Sequence, residues 1–148
     1  MGALANRFQE VWHCLLRACG GQATSAPQSK IDTNGAKAET LAARHLEKNG
    51  ARILARNVRY KGGEIDLIAE HADVIIFAEV RLRQHAGFGG AAGSITPTKQ
   101  RRIILATRIW LASAGRAYAN RNCRFDAIVL DELNPDRIEW LQAAFSAH

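Results

Sequence analysis

The chain has 148 residues, of which 47% are hydrophobic and 23% are charged, so it can form one folded domain with a short extension. This composition excludes an intrinsically disordered chain, and no apolar run approaches the roughly 20 residues that a membrane span requires. Lys and Arg number 20 against 14 Asp and Glu, and the resulting net charge of +6 favours a polyanionic partner such as nucleic acid.

The first residues are predicted to lie outside the main domain. Apolar side chains recur at helical spacing, so residues 1–19 are predicted to form an amphipathic helix, followed by a flexible linker over residues 20–34. Charged residues interrupt the apolar run, which argues against a signal peptide. Two interpretations remain open: this helix docks on the main domain or is partly disordered, or it is a dimerisation or membrane-surface helix.

The cysteine pattern predicts a reducing compartment. Cys14, Cys19 and Cys123 are an odd number without CxxC spacing, which is typical of neither a disulfide framework nor a zinc site. Since no membrane span or signal peptide is predicted either, we expect a cytoplasmic protein.

Residues 35–148 are predicted to form an α/β domain, a mixed β-sheet of about five strands flanked by helices in the order α-β-β-β-α-β-β. The first helix spans about Ala36 to Asn49 and ends at Gly50, a residue suited to a left-handed C-cap. The second begins at Thr96-Pro97, with Thr as N-cap and Pro at the first helical position, and continues to about Ala114. The predicted strands are Arg52–Tyr60, Glu64–Glu70, Val74–Arg83, Arg124–Leu130 and Arg137–Leu141.

The central hairpin is informative because its turn predicts a register. If the turn is centred between Ala72 and Asp73, paired residue numbers sum to 145, which places Asp66 opposite Glu79. The same register places Glu64 opposite Arg81. Alternation predicts one charged face, with Glu64, Asp66, Ile68, Phe77, Glu79 and Arg81. It predicts an apolar core face with Ile65, Leu67, Ala69, Ile76, Ala78 and Val80.

Two carboxylates that face each other across strands, about 5 Å apart at Cβ, destabilise a sheet unless a cation compensates them. A hard divalent ion such as Mg²⁺ would do so, because it takes one or two carboxylates together with substrate phosphates. The alternative is a salt-bridged structural cluster with Arg81 or another basic residue. Elsewhere, Asp126 beside Arg124 is interpreted as an ion-paired structural residue, with a ligand role as its alternative.

The positive charge belongs to one segment. Between Glu79 and Asp126 there are nine basic residues and no acidic one. Several lie at the start of the second helix, where backbone N–H groups also favour phosphate, and a Gly- and Ala-rich loop at residues 84–95, predicted to be mobile, precedes them. A solvated charged face is the alternative to nucleic-acid contact. The candidate nucleic-acid-binding residues are Arg83, Lys99, Arg101, Arg102 and Arg108.

The segments Gly63–Ile68 and Phe77–Arg83 resemble the core of the PD-(D/E)xK nuclease superfamily. More narrowly, the sequence resembles the uncharacterised YraN-type bacterial family, which is similar to archaeal Holliday-junction resolvases. The resemblance extends over about residues 35–146. It also includes Gly35, Glu39, Ala42, Leu46 and Gly50, the segments Arg56–Arg59, Lys99–Arg102 and Arg124–Asp126, and the pair Ala144-Phe145.

The resemblance implies a restriction-endonuclease-like fold and a set of site residues. Glu39, Asp66, Glu79 and Arg81 would be catalytic. Asp66, Glu79 and the backbone carbonyl of Val80 would hold Mg²⁺ or Mn²⁺. Arg81 stands where the superfamily has a catalytic lysine; Arg stays charged and cannot act as a base, but it can hold a phosphate. Lys99 from the second helix, or the metal-bound water alone, could supply what Arg81 does not.

The predicted function is therefore a metal-dependent, structure-selective DNA endonuclease that acts in DNA repair or recombination. Its expected partner is nucleic acid, preferably DNA with branched or non-duplex structure, and a homodimer is expected by analogy with resolvases alone. The alternative is a catalytically impaired nuclease-fold protein that serves as a nucleic-acid-binding or scaffold module. A partner-binding role of the N-terminal helix is compatible with either.

Overall fold

The structure, a computed structural model, describes residues 33–83 and 95–147. The predicted N-terminal helix at residues 1–19, the predicted linker up to residue 32 and the predicted loop at residues 84–94 lie outside these residues. Within the described ranges, no helix is long and apolar enough to cross a membrane.

Within residues 33–83 and 95–147, two helices and five strands follow the predicted order α-β-β-β-α-β-β, so the predicted α/β fold is confirmed. The strands form one mixed sheet in the order β1-β2-β3-β4-β5, in which β3 and β4 are parallel and all other neighbours are antiparallel. The helices are α1 (Thr33–Lys48) and α2 (Pro97–Ala112), and a 3₁₀ turn follows at Arg116–Tyr118. The strands are β1 (Arg52–Tyr60), β2 (Gly63–His71), β3 (Val74–Arg83), β4 (Asn122–Asp131) and β5 (Ile138–Phe145).

The element boundaries agree closely with the sequence patterns. Strands β1 and β3 have the predicted limits, whereas α1 begins at Thr33, three residues before the predicted start. Strand β5 continues to Phe145, four residues beyond its predicted end, through a left-handed backbone at Ala143 with φ 53°. This irregular residue interrupts the alternation pattern, which is why the sequence predicted a shorter strand.

Both faces of the sheet are buried, in contrast to the prediction of one core face. Helix α1 packs on the face that carries Leu67, Ala69, Ile76 and Ala78. Helix α2 packs on the opposite face, where its Trp110 joins one buried cluster with Ile68, Ile75, Phe77 and Phe125 of the sheet. A parallel crossover from β3 through α2 to β4 requires this second layer, because the connecting helix must cover the sheet.

Three residues show where the predicted hairpin faces were wrong. Ile68 and Phe77, placed on the charged face by alternation, are fully buried beneath α2. Ile65, predicted on the face with Leu67, instead belongs to the cluster under α2. The charged residues of that predicted face are therefore confined to the start of β2 and the second half of β3.

The start of β2 passes directly beneath α2. A Cβ atom added at Gly63 would lie 2.3 Å from the backbone oxygen of Arg102 and 3.0 Å from Ala106 Cβ, so only glycine fits at this position. This close approach brings the acidic residues that follow Gly63 close to the first turns of α2.

The start of α2 is held by the predicted N-cap. The hydroxyl of Thr96 accepts the backbone N–H of Lys99 at 3.3 Å, and the Thr96 carbonyl accepts the N–H of Gln100 at 2.9 Å. Pro97 occupies the first helical position, where its missing N–H costs no helical hydrogen bond. The backbone of Lys99 is thus set at one place above the sheet.

The core contains an unsatisfied polar group on α2. The Thr107 side chain is fully buried on α2, and its hydroxyl has no hydrogen-bond partner among the residues that the structure describes. Such a group loses its hydration without compensation, which destabilises the folded state.

We therefore expect Thr107→Val, which conserves the shape and removes the hydroxyl, to raise the free energy of unfolding by about 1 kcal/mol. Urea denaturation measures the change as a higher midpoint at an unchanged slope. Thr40→Val on α1 is the matched control, because the exposed Thr40 hydroxyl donates to the Ala36 carbonyl at 2.9 Å and should bring no gain. A loss of stability in Thr107→Val would show that the hydroxyl has a partner.

Candidate functional site

Acidic side chains from three elements meet at the end of the central hairpin. Asp66 lies on β2, Glu79 on β3 and Glu39 on α1; burial raises the pKa of Glu39 and of Glu79, and the charge of Asp66 raises both further. The predicted register of the hairpin is confirmed, because the pairs from His71–Val74 to Leu67–Ala78 all have numbers that sum to 145. The ladder ends at Leu67–Ala78, and the side chains of Asp66 and Glu79 contact each other just beyond it.

Asp66 is held by the backbone of the neighbouring strand. Its Oδ2 atom accepts the N–H of Val80 at 2.8 Å. Burial raises the pKa of Asp66, although the hydrogen bond from Val80 and the charge of Lys99 oppose this rise. The bond fixes the carboxyl group beside β3, so its orientation is set before any ligand binds.

Glu79 is the most perturbed carboxyl group of the site. Its side chain is only 12% exposed, and burial, followed by the nearby Asp66 charge, raises its pKa to about 7. Its buried Oε2 atom lies 3.3 Å from Lys99 Nζ, an ion-pair distance, but has no hydrogen-bond partner in the described part of the chain. A buried carboxylate oxygen in this state is poorly compensated and would be stabilised by a cation.

Lys99 reaches the carboxylates from α2. The sequence had named it as one residue that could replace the catalytic lysine missing at position 81. Its Nζ atom donates to Glu64 Oε1 at 2.9 Å, besides approaching Glu79. Burial lowers the pKa of Lys99, but the carboxylates of Glu64, Glu79 and Asp66 outweigh it and hold the pKa above its ordinary value. Glu64 was predicted to lie opposite Arg81 across the two strands. In the structure its ion pair is with Lys99.

Glu39 completes the cluster from α1, and it has a partner that sequence reasoning missed. Burial raises the pKa of Glu39, and a hydrogen bond from the Asn57 side chain opposes the rise. Asn57 lies within β1 with a φ of 51°, between the paired residues Arg56–Leu67 and Val58–Ile65. Asn is one of the few residues that adopts this left-handed conformation at low cost. An Asn inside the predicted strand, at position 57, was the sequence signal that could have indicated this irregular backbone.

The remaining predicted residues are distributed around the cluster. Arg81 is exposed on β3, two residues beyond Glu79. Arg83 lies further along β3, where its Nη1 atom is 3.6 Å from Asp131 on β4, so part of its charge is already compensated. Arg81 is therefore the more exposed of the two, although the sequence placed both in one basic segment.

The three arginines of α2 differ in how exposed their side chains are. Arg101 and Arg102 are exposed in the first turns, and the charge of Arg102 lowers the pKa of Glu64 after the larger effect of Lys99. Arg101 Nη2 donates to Thr98 Oγ1 at 3.1 Å, a local contact within the helix. Arg108 is half-buried further along α2. The start of α2 thus combines exposed positive charge with the carboxylate cluster.

Asp126 is a structural residue, as the first of its two interpretations states. It is fully buried and accepts two hydrogen bonds from Arg124, at 2.8 and 2.9 Å. It also accepts the Trp140 indole N–H at 2.8 Å and the Ala143 backbone N–H at 2.9 Å. These four bonds satisfy the carboxylate and attach β5 to β4 at the irregular residue Ala143.

Comparison with known proteins assigns the chain to a family. The match to the uncharacterised protein family UPF0102 extends over residues 38–130, a range that contains Glu39, Asp66, Glu79 and Lys99. The chain belongs to the UPF0102 family. A UPF0102 protein of Yersinia pseudotuberculosis serotype O:1b (strain IP 31758) is 48% identical over 118 residues, which cover 80% of this chain and 97% of the relative. A UPF0102 protein of Yersinia pestis bv. Antiqua (strain Angola) has the same identity and coverage. The resemblance to the YraN-type family is therefore confirmed.

The donor set of this UPF0102 protein fits a hard divalent ion that keeps part of its coordination for water or substrate. In residues 33–83 and 95–147, no group of three or more His, Cys, Asp or Glu side chains is arranged to hold a metal ion by itself. Asp66, Glu79 and the Val80 carbonyl could provide two carboxylates and one backbone oxygen, and Mg²⁺ usually takes no more than that from protein. The buried Glu79 Oε2 atom without a hydrogen bond is the observation that favours a cation there.

Proposed function

We propose that this UPF0102 protein is a metal-dependent, structure-selective DNA endonuclease of the PD-(D/E)xK superfamily, acting in the cytoplasm in DNA repair or recombination. The observation that carries the proposal is the neighbouring pair of Asp66 and Glu79, two largely buried carboxyl groups whose burial raises the pKa of both, and the charge of Asp66 raises that of Glu79 further. Proteins keep such pairs where their chemistry requires them, because a structural role is better served by neutral or apolar residues. The resemblance of Gly63–Ile68 and Phe77–Arg83 to the superfamily core supports the same function.

The reaction is the hydrolysis of a phosphodiester bond. Asp66, Glu79 and the Val80 carbonyl would hold the ion, and Mg²⁺ or Mn²⁺ would supply an acidified water and neutralise charge on the scissile phosphate. Glu39, which accepts a hydrogen bond from the Asn57 side chain, would orient the attacking water from the side of α1. Arg81 binds a non-bridging phosphate oxygen through its guanidinium group, which stays charged at every working pH.

Nucleic acid approaches over the start of α2. Exposed Arg101 and Arg102 contact backbone phosphates beside the cluster, and the half-buried Arg108 and Arg83 add further positive charge. Contacts to the phosphate backbone give no information about the base sequence. They therefore suit an enzyme that selects DNA by its branched or non-duplex structure. A homodimer would present two such surfaces to the arms of one junction.

A cleavage assay on a small substrate panel tests the proposal. A four-way junction, a flap, a single strand, a linear duplex and a structured RNA are each incubated with Mn²⁺, with Mg²⁺ and with EDTA. We expect cutting of the junction or flap that requires the metal ion. Binding to all substrates without any cutting would instead support the second function, a catalytically impaired nucleic-acid-binding module, which the Lys99 ion pairs and the Arg at position 81 favour.

Arg81→Lys separates the two functions. In an active enzyme the variant should cleave within about tenfold of the wild-type rate, because either side chain provides a positive charge at the phosphate. Initial rates on the best panel substrate measure this, with Arg44→Lys on the exposed side of α1 as the control. Activity that is present only in Arg81→Lys would identify a nuclease fold that has lost its function through this one residue.

A further inference from the structure

We propose that Lys99 is an internal counter-cation of the carboxylate cluster, which a divalent metal ion displaces from Glu79 when it binds. The inference rests on the proposed function, because it takes Asp66 and Glu79 as the metal ligands. It adds an exchange of one cation for another, so that metal binding changes the position of a lysine on α2.

The geometry around Lys99 carries this inference. Its Nζ atom lies 3.3 Å from the buried Glu79 Oε2 and 2.9 Å from Glu64 Oε1, and its side chain is 25% exposed. The contact with Glu64 is a hydrogen bond, whereas the contact with Glu79 is an ion pair without hydrogen-bond geometry. Lys99 therefore compensates the Glu79 charge only partly, and this is the weaker of its two contacts.

A second cation cannot join this arrangement without strong repulsion. An ion on Glu79 Oε2 would stand beside the ammonium group in a site from which most water is excluded, where like charges repel far more than in bulk water. Ligation through oxygen is closer and stronger than the ion pair, so the ion takes Glu79 and the ammonium group moves away.

Lys99 can leave Glu79 without disturbing the helix. The Thr96 cap holds its backbone N–H, and its flexible four-carbon stem can reorient around that anchor. Glu64, whose side chain is 33% exposed, remains a partner on the solvent side of the cluster. The displaced ammonium group then lies towards the surface of Arg101 and Arg102, where a backbone phosphate of nucleic acid would bind it.

The first experiment compares Mn²⁺ affinity in the full chain without nucleic acid, by electron paramagnetic resonance of the free ion at about pH 8. We expect Lys99→Gln to bind Mn²⁺ about tenfold more tightly than the wild type, because the competing cation is gone. Arg102→Gln is the electrostatic control: it also removes a positive charge that acts on Glu64, but it leaves Glu79 paired, so its gain should stay below about threefold.

The outcomes separate this inference from the proposed function. Wild-type protein that binds Mn²⁺ while Lys99→Gln binds no more tightly than Arg102→Gln would overturn the displacement and leave the metal site intact. No Mn²⁺ binding by any of the three proteins would overturn the metal-dependent function and the displacement together.

A measurement on the wild-type protein keeps the test independent of how the variants fold. Lysine acylation followed by peptide mass spectrometry reports how accessible each ammonium group is. We expect Mn²⁺ to raise the labelling of Lys99 several-fold and to leave that of Lys48, exposed at the end of α1, unchanged. Unchanged labelling of Lys99 under Mn²⁺ saturation would overturn the displacement.

Discussion

Asp66→Asn is expected to lower metal-dependent cleavage by about a thousandfold or more. The substitution removes one negative charge and one oxygen ligand but keeps the size of the side chain. Its amide oxygen can still accept the Val80 N–H that Oδ2 accepts at 2.8 Å, so the fold around the site is preserved. The loss therefore reports on metal binding and chemistry. Asp66→Ala removes both the metal ligand and the acceptor of the Val80 N–H, so it should be at least as inactive.

Binding of DNA should survive the same change. Fewer negative charges at the site reduce repulsion of phosphate, so the affinity of Asp66→Asn for the junction should equal or exceed that of the wild type. Fluorescence anisotropy in EDTA measures the binding, and rates with Mn²⁺ and Mg²⁺ measure the cleavage. Asp136→Asn, at an exposed acidic residue of the β4–β5 connection, is the control and should cut normally. Normal cutting by Asp66→Asn would place the catalytic site elsewhere.

Glu79→Gln is expected to stabilise the protein above neutral pH while it abolishes cleavage. Burial and the Asp66 charge raise the pKa of Glu79 to about 7, compared with an ordinary value of 4.5. Between these two values the folded state binds more protons than the unfolded state, so this group's contribution falls as the pH rises. It is most favourable below about pH 4.5 and is lost above pH 7. Gln cannot ionise and avoids the loss, which we expect to be about 1–3 kcal/mol at pH 8 in EDTA.

Urea denaturation of both proteins at several pH values between about 4.5 and 8 tests this prediction. The difference in unfolding free energy, Glu79→Gln minus wild type, should grow with pH. Glu47→Gln, at an exposed position of α1, controls for the change of one charge at the surface. A difference that does not change with pH, or a Glu79→Gln protein that is less stable at pH 8, would contradict the cost assigned to the buried pair.

The hairpin illustrates how far local patterns go. The turn and the alternation predicted the limits of β3 and the register of β2 with β3, both of which are confirmed. They also predicted that Asp66 and Glu79 lie close together, because the pairing of neighbouring strands depends on only a few residues around one turn. The same reasoning failed at Ile65 and Ile68, where the cover provided by α2 decides which residues are buried.

The partners of the carboxylates lay beyond such patterns. Lys99 and Glu64 are 35 positions apart, and they meet because Gly63 lets the start of β2 pass under α2. Asn57 supports Glu39 from another element through a left-handed backbone that no periodicity predicts. The sequence contains both Lys99 and Asn57, but which carboxylate each one contacts depends on how the helices pack against the strands.

By itself the sequence determined the α/β class, the order of its elements, the register of the central hairpin and the two carboxylates at its end. These features follow from spacing, caps and turns, which act over a few residues. Only the tertiary structure decided that both faces of the sheet are buried, that Lys99 serves Glu64 and Glu79, and that Asp126 joins β4 to β5. The physical reason is that burial and charge compensation depend on the packing of helices against the sheet, which joins residues distant in the chain.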